Sequence, residues 1–283
     1  MENRMINMLD SHIHIMTNDT PQPEKLAEAF KRSGMAGGYL LSPPPGSFLA
    51  QTTQAASAEH RLQTVLTWCA GRADWYPALW IDPTDPDAGR QVDVAVKAGI
   101  AGFKIICTHY DPGHPDVVKI ASQIAETGRP ILFHSGILWN DADSSRFNRP
   151  AGFESLLRVR GLRFALAHAS WPWMDECLAV YGKFQQASKN DPANFAEMFI
   201  DLTPGTPKIY RDELYRKLLG IGYPVADHIL FGTDNLAEDY KDSWALDWLE
   251  TDRQLMQQYR ASDEDWRKLT ELNMRRFLNG SAT

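Results

Sequence analysis

The sequence predicts an α/β fold: a single (β/α)8 barrel with a C-terminal outer helix, occupying residues 1–283 as one domain. Eight short apolar runs alternate with longer amphipathic segments along nearly the whole chain, which is typical of a parallel sheet covered by helices. The competing doubly wound sheet usually has a glycine-rich turn after its first strand. Residues 16–20 follow the first run and contain no glycine, which favours the barrel.

The predicted strands are short runs of β-branched, aromatic and leucine side chains. Their ranges are Met8–Ile15, Gly38–Leu41, Pro77–Ile81, Gly102–Cys107, Pro130–His134, Arg163–Ala167, Met198–Leu202 and Ile229–Phe231. Because consecutive parallel strands need a crossover between them, each run is expected to be followed by a helix.

The predicted helices have typical boundary residues, with proline near several starts and glycine after several ends. Pro23–Ser33 precedes Gly34, for example, and Pro115–Thr127 precedes Gly128. The remaining ranges are Ala56–Cys69, Asp87–Ala98, Phe153–Val159, Met174–Ser188, Asp212–Leu219, Asp242–Tyr259 and Glu264–Leu278. The last helix is expected to pack on the outside of the barrel.

Composition excludes several classes of partner. The net charge of −7 leaves no basic surface for nucleic acid and suits anionic membranes poorly. No apolar run approaches the length of a transmembrane helix, and the N-terminus lacks the apolar core of a signal peptide. The three cysteines are widely spaced and odd in number, which fits a reducing compartment. We therefore expect a cytoplasmic protein with a small-molecule substrate.

His12 and His14 lie two residues apart in the first predicted strand. Side chains at i and i+2 of a strand point to the same face, so the two imidazoles lie side by side. Such a pair is suited to bind a divalent metal ion. The alternative is a strand with two hydrogen-bonded structural histidines.

Further polar side chains stand at the carboxyl ends of later strands, where a barrel has its active site. Lys104 lies on strand four, His134 ends strand five, His168 follows strand six and Asp234 follows strand eight. Taken singly, either of these histidines could be a core residue and Asp234 could cap a helix. In a closed barrel, however, the first and last strands are neighbours, which would bring Asp234 beside His12.

These motifs resemble the amidohydrolase superfamily, in particular its amidohydrolase-related (amidohydrolase 2) branch of metal-dependent TIM-barrel hydrolases and decarboxylases. The motifs are Asp10-x-His12-x-His14, His134 in Phe-His-Ser-Gly, His168 in Ala-His-Ala, Asp234 in Gly-Thr-Asp-Asn, and the stretches Ala78–Pro83 and Asn148–Pro150. The resemblance implies that His12, His14, His134 and Asp234 bind the metal. Zinc is the most common ion in such nitrogen and oxygen sites.

The resemblance also implies catalytic roles. Metal binding lowers the pKa of a bound water towards ~7, and Asp234 is expected to take the proton of that water. His168 then polarises the substrate carbonyl or transfers a proton. One metal per chain is favoured. The alternative is two metals bridged by a carbamylated Lys104, with His134 and His168 on the second ion.

Loops after strands five and six are expected to form the substrate pocket. Trp139 and Trp171 could supply an aromatic wall, Arg146 and Arg149 could bind a substrate carboxylate, and His109 could approach the substrate. The alternative is that the arginines and tryptophans hold the loops in place.

The leading function is hydrolysis of an amide, ester or lactone of a small molecule. Non-oxidative decarboxylation of an aromatic or dienoic carboxylic acid needs the same ligands, and a non-catalytic barrel binding protein is a third reading. A homodimer could form through the predicted helix Asp242–Tyr259, where Trp244 and Trp248 would supply an apolar face.

Overall fold

The computed structural model describes residues 7–49, 55–189 and 191–280. Within them, nine strands form one parallel sheet in the order β8-β7-β6-β5-β4-β3-β2-β1-β9. Their bounds are β1 Met8–His14, β2 Met35–Leu41, β3 Trp75–Trp80, β4 Gly102–Ile105, β5 Ile131–Phe133, β6 Arg163–Leu166, β7 Glu197–Asp201, β8 Ile229–Leu230 and β9 Asn235–Leu236. The predicted α/β class with a parallel sheet is confirmed.

The eighth strand is divided in two: the predicted range Ile229–Phe231 contains only β8, and β9 lies beyond its predicted end. The first, β8, pairs with β7, whereas β9 pairs with β1 at the other end of the sheet order. Between them, the Ser11 amide donates to the Phe231 carbonyl at 2.9 Å and the Asp234 amide donates to the His12 carbonyl at 3.0 Å. The division arises because Asp234 adopts a left-handed φ of 57°, which interrupts the extended backbone.

The helices lie mostly where the sequence predicts them. Their bounds are α1 Pro23–Ser33, α2 Ala58–Cys69, α3 Ala88–Lys97, α4 Pro115–Glu126, α5 Met174–Ser188, α6 Arg211–Gly220, α7 Asp242–Gln258, α8 Asp263–Arg267 and α9 Asn273–Asn279. The predicted helix Phe153–Val159 is wrong, since that region contains a 3-10 helix at Pro150–Leu156. The segment is too short to gain much from α-helical hydrogen bonds.

The C-terminal segment differs from its predicted position on the outer surface. A π-helical turn at Lys268–Leu272 joins α8 to α9, and α9 packs against the face of the sheet opposite the main helical layer. Phe277 of α9 lies with its ring centroid 5.3 Å from Phe199 and 6.3 Å from Tyr39. Apolar residues at 274, 277 and 278 form a helical stripe, which explains this burial.

The proposed apolar dimer face on α7 is wrong for one of its two tryptophans. Trp248 is buried and stacks with the Arg211 guanidinium, whose centre lies 4.9 Å from the ring centroid. Trp244 is partly exposed, but its indole N–H donates to the Thr233 carbonyl at 2.9 Å. Trp244 therefore anchors the segment that carries Asp234.

No helix in the described ranges is long and apolar enough to cross a membrane. Cys69, Cys107 and Cys177 are all buried and free.

Candidate metal centre

Three of the predicted metal ligands converge at the carboxyl end of β1. The Nε2 atoms of His12 and His14 lie 3.0 Å apart, and Asp234 Oδ1 lies 3.6 Å and 3.3 Å from them, respectively. Tetrahedral zinc, with bonds of ~2.0–2.1 Å to nitrogen and oxygen, requires ligand atoms ~3.4 Å apart. The spacing of these atoms therefore fits one small divalent ion.

The local backbone explains this convergence. His12 and His14 share one face of β1 because successive strand residues alternate. Asp234 is brought beside the two histidines by its left-handed φ and by the hydrogen bond that its backbone N–H donates to the His12 carbonyl. Aspartate tolerates this conformation better than most residues that have a Cβ atom.

Asp201, at the end of β7, fixes the orientation of His12. The His12 Nδ1–H group donates to Asp201 Oδ2 at 2.8 Å, and both side chains are fully buried. The Nε2 lone pair of His12 is therefore directed towards the site, as a metal ligand requires. Sequence analysis missed Asp201, although a carboxylate at the end of an otherwise apolar strand is a signal that could have revealed it.

Asp10 joins the first strand to the segment that carries Asp234. Its carboxylate accepts bonds from the amides of His12 and Thr233, both at 3.0 Å, and from the hydroxyls of Thr233 and Tyr240 at 2.5 and 2.9 Å. Burial raises the pKa of Asp10 to about 7 against the opposing effect of these four bonds. Asp10 thus links the strand that carries His12 and His14 to the segment that carries Asp234.

Lys104, His134 and His168 lie around the same centre. Lys104 is fully buried, with its Nζ 3.3 Å from His12 Nε2, and burial lowers its pKa to about 8. The His168 ring centroid lies 5.3 Å from that of His12 and 5.0 Å from that of His134. His134 lies outside the tight ligand group of His12, His14 and Asp234, although it lines the same cavity.

The ionisation of the site suits metal binding. Burial lowers the pKa of His12 to about 3, and burial also lowers the pKa values of His134 and His168. Burial alone would raise the pKa of Asp234, but the His14 hydrogen bond and the nearby histidine charges hold it well below its usual range. Neutral imidazoles and an ionised carboxylate are the forms that bind a divalent ion.

His168 is held in an unusual backbone conformation. His168, Ala169 and Ser170 have φ values of 60°, 43° and 58°, a run that residues with a side chain rarely adopt. The ring of His168 packs against Gly205, where an added Cβ atom would lie 2.8 Å from His168 Cγ and Nδ1. The absence of a side chain at Gly205 therefore makes room for this ring.

A cavity of about 480 Å³ opens above the histidines. That volume lies within the range of small-molecule sites, ~300–1,000 Å³. The predicted wall residues Trp139 and Trp171 both line it. The other lining residues are His14, Met16, Phe48, Trp80, Lys104, Ile106, His134, Ile137, Leu138, His168, Pro204, Gly205, Asp234 and Leu236.

The arginines expected to bind a substrate carboxylate lie outside this lining. Arg149 pairs with Glu176 at 2.5 Å and its guanidinium lies over the Trp173 ring. Arg146 is exposed and stacks on Phe147, with 4.6 Å between the guanidinium carbon and the ring centroid. Arg149 therefore holds its loop against α5, which is the alternative that the sequence left open, whereas the contacts of Arg146 stay within its own loop.

His109 is also not among the described residues that line the cavity. It is exposed and hydrogen-bonds with the hydroxyls of Thr84 at 3.3 Å and Thr108 at 2.9 Å. His109 therefore contacts residues of the connections after β3 and β4.

The sequence model of the amidohydrolase family matches residues 9–280, which is nearly the whole chain. The chain belongs to the amidohydrolase family. Membership makes it an enzyme, and the enzymes of this family depend on a bound metal. No curated protein sequence matches this amidohydrolase.

Several solved structures share the fold. A probable 2-pyrone-4,6-dicarboxylic acid hydrolase from Acinetobacter baumannii is 11% identical with a TM-score of 0.60, covering 97% of this chain and 99% of that one. Amidohydrolase 2 from Bifidobacterium longum subsp. infantis is 15% identical with a TM-score of 0.58, covering 97% and 99%. Dihydroorotase from Campylobacter jejuni is 16% identical with a TM-score of 0.56, covering 94% and 81%. At these sequence identities, the three structures show only that this amidohydrolase shares their fold.

Proposed function

We propose that the chain is a metal-dependent hydrolase that cleaves an amide, ester or lactone of a small molecule. The observation that carries this proposal is the group of His12, His14 and Asp234 at the floor of the cavity, with His12 oriented by Asp201. We further infer that residues 1–283 form one closed (β/α)8 barrel in which β8 and β9 together serve as the eighth strand.

His12, His14 and Asp234 would hold the ion, and His134 is the next candidate ligand. Zinc fits this set of nitrogen and oxygen donors. A divalent ion held there would act as a Lewis acid, making water a nucleophile at neutral pH.

Asp234 and His168 would manage the protons of the reaction. His168 Nδ1–H donates to the Thr203 carbonyl at 3.4 Å, so Nε2 of the neutral ring carries a free lone pair. That lone pair supports a proton-transfer role for His168 rather than polarisation of the carbonyl. In this scheme Asp234 or His168 accepts the proton of the attacking water, and the protonated group then delivers it to the leaving group.

We favour one ion per chain, because a single group of three ligand atoms satisfies the spacing within the described residues. Lys104 is the residue on which the alternative depends. Its lowered pKa makes the neutral amine, the form that reacts to give a carbamate, more accessible.

Hydrolysis is favoured over decarboxylation for a specific reason. The decarboxylase hypothesis relied on Arg146 and Arg149 to bind a substrate carboxylate, and neither arginine is among the described residues that line the cavity. We also propose a cytoplasmic location, which the three buried, unpaired cysteines support.

Metal content and hydrolysis test the proposal together. Protein purified without added metal is expected to contain about one divalent ion per chain, by the ligand count above. His12→Ala and Asp234→Ala are expected to lose both the ion and hydrolysis of an ester panel, with unchanged circular dichroism. His60→Ala is the matched control, because His60 is exposed on α2, and it should keep both.

Two results would contradict this scheme. An Asp234→Ala protein with full metal content and full activity would overturn the assignment of the site. Two ions per chain, lost in a Lys104→Met variant, would replace the single-ion site with the carbamate-bridged one.

A further inference from the structure

The cavity above the metal ligands is apolar over most of its surface. Of its described lining residues, only Lys104 and Asp234 carry a full charge, and both belong to the centre around His12. The rest of the lining, apart from histidines, consists of Met16, Phe48, Trp80, Ile106, Ile137, Leu138, Trp139, Trp171, Pro204, Gly205 and Leu236.

Aromatic side chains line this cavity from two positions along the sheet, at the carboxyl ends of β3 and β6. Trp80 ends β3, and its ring centroid lies 4.6 Å from that of Phe48 and 5.6 Å from that of His14. Trp171, which follows β6, lies 5.9 Å from Tyr210 between ring centroids. Strand β4 lies between the Trp80 side and the loop that carries Trp139, so a flat group could be held from both sides.

Large apolar side chains also reach the solvent at the rim. Trp139 is 78% exposed, Leu236 is 42% exposed and Met16 is 39% exposed, yet all three line the cavity. A contiguous patch of exposed apolar side chains is typical of a binding site. A ligand that covered these side chains would remove them from water, which favours binding.

The described lining offers no cation for a second, distal anionic group. Lys104 is confined to the floor, where its Nζ lies 3.3 Å from His12 Nε2. An anionic group placed among the aromatic rings would therefore lose its hydration without gaining a partner.

We infer that the site takes a substrate whose non-reacting part is an uncharged aromatic group, enclosed by Phe48 and Trp80 on one side and by Trp139 and Trp171 on the other. Trp139 is the specificity-determining residue at the rim. The inference rests on the proposed hydrolase function only for the reacting end of the substrate.

Binding to metal-depleted protein tests the pocket without requiring turnover. The probes are 4-methylbenzamide, 4-carboxybenzamide and acetamide, and the dissociation constants are measured by saturation-transfer NMR. The first two differ only in the distal substituent, so they isolate the effect of charge. We expect 4-methylbenzamide to bind about tenfold more tightly than 4-carboxybenzamide and acetamide to show no saturable binding.

A tryptophan substitution tests the rim. Trp139→Ala should raise the dissociation constant of 4-methylbenzamide about tenfold while leaving the fold intact, because Trp139 is largely exposed. Trp173→Ala is the matched control, since Trp173 stacks with Arg149 outside the cavity, and it should bind like the wild type.

Equal or tighter binding of 4-carboxybenzamide would overturn the inference, as would an unchanged dissociation constant in Trp139→Ala. Failure of the proposed function has a different signature. Protein that binds 4-methylbenzamide as expected but hydrolyses no ester or amide after metal is restored would overturn the hydrolase proposal and leave the pocket inference standing.

Discussion

Asp201→Asn should weaken metal binding without removing any metal ligand. Asp201 is fully buried and accepts the His12 Nδ1–H bond at 2.8 Å through one oxygen. Its other oxygen accepts bonds from the Ser11 hydroxyl at 3.2 Å, the Thr203 amide at 2.8 Å and the Thr203 hydroxyl. Asparagine has almost the same shape but replaces one acceptor with a donor.

Neither orientation of the new amide can satisfy this environment. If its NH2 group faces His12, the ring must move its proton to Nε2, and the lone pair needed for the metal is lost. If the NH2 group faces Thr203 instead, it opposes a backbone N–H, and a buried donor is left unsatisfied at a cost of ~1–3 kcal/mol. One of these penalties therefore falls on either the metal site or the fold.

The size of the effect follows from the contact that Asp201 makes, since it binds the proposed ligand His12 and not the ion. Removal of such partners typically costs ~10–100-fold in metal affinity. That range corresponds to ~1.4–2.7 kcal/mol. In the wild type, the Asp201 carboxylate keeps His12 in the tautomer that leaves Nε2 free for the metal. We therefore expect Asp201→Asn to lower metal affinity directly, and to lower turnover because less metal is bound.

Competition with a chromophoric chelator at pH 7 measures this affinity, and thermal unfolding of the metal-free protein reports on the fold. Asp93→Asn is the matched control, because Asp93 is an exposed aspartate on α3. The reasoning fails if Asp201→Asn binds the ion as tightly as the wild type while its metal-free unfolding temperature is also unchanged.

Two further substitutions test the surroundings of the site. Gly205→Ala should push the ring of His168 aside, because the added Cβ atom would lie 2.8 Å from it, and kcat should fall by about 10²-fold with metal affinity retained. Gly220→Ala is the control, since nothing lies within 4 Å of its added Cβ atom, and equal kcat in both variants would contradict this account. Arg211→Met should leave the buried Asp252 carboxylate unpaired and lower the free energy of unfolding by ~3–5 kcal/mol in urea titrations. A loss below ~1 kcal/mol would show that Asp252 finds another partner.

The sequence brings the candidate ligands to one place because two simple rules control their positions. Alternation along β1 puts His12 and His14 on one face, and the carboxyl ends of parallel strands put Lys104, His134 and His168 near them. Such rules need only local sequence and the order of the strands.

Pairing between distant loops follows no such rule. Whether Arg149 turns into the cavity or towards Glu176 depends on how the connection after β5 packs on α5, which the sequence around Arg149 does not encode. The same holds for Asp201, whose partner His12 lies 189 residues away. Both residues became interpretable only when the tertiary contacts were known.

Backbone strain is the part of the site that residue types conceal most completely. Of the five non-glycine residues with positive φ in the described chain, Asp234, His168, Ala169 and Ser170 lie at the site. Such conformations cost ~1–3 kcal/mol each and persist only where the surrounding structure enforces them. At Asp234 two hydrogen bonds enforce the conformation. The Asp234 N–H donates to the His12 carbonyl, and the N–H of the preceding Thr233 donates to the Asp10 carboxylate. The conformational cost at Asp234 therefore accompanies the turn of the backbone that brings its carboxylate to His12 and His14.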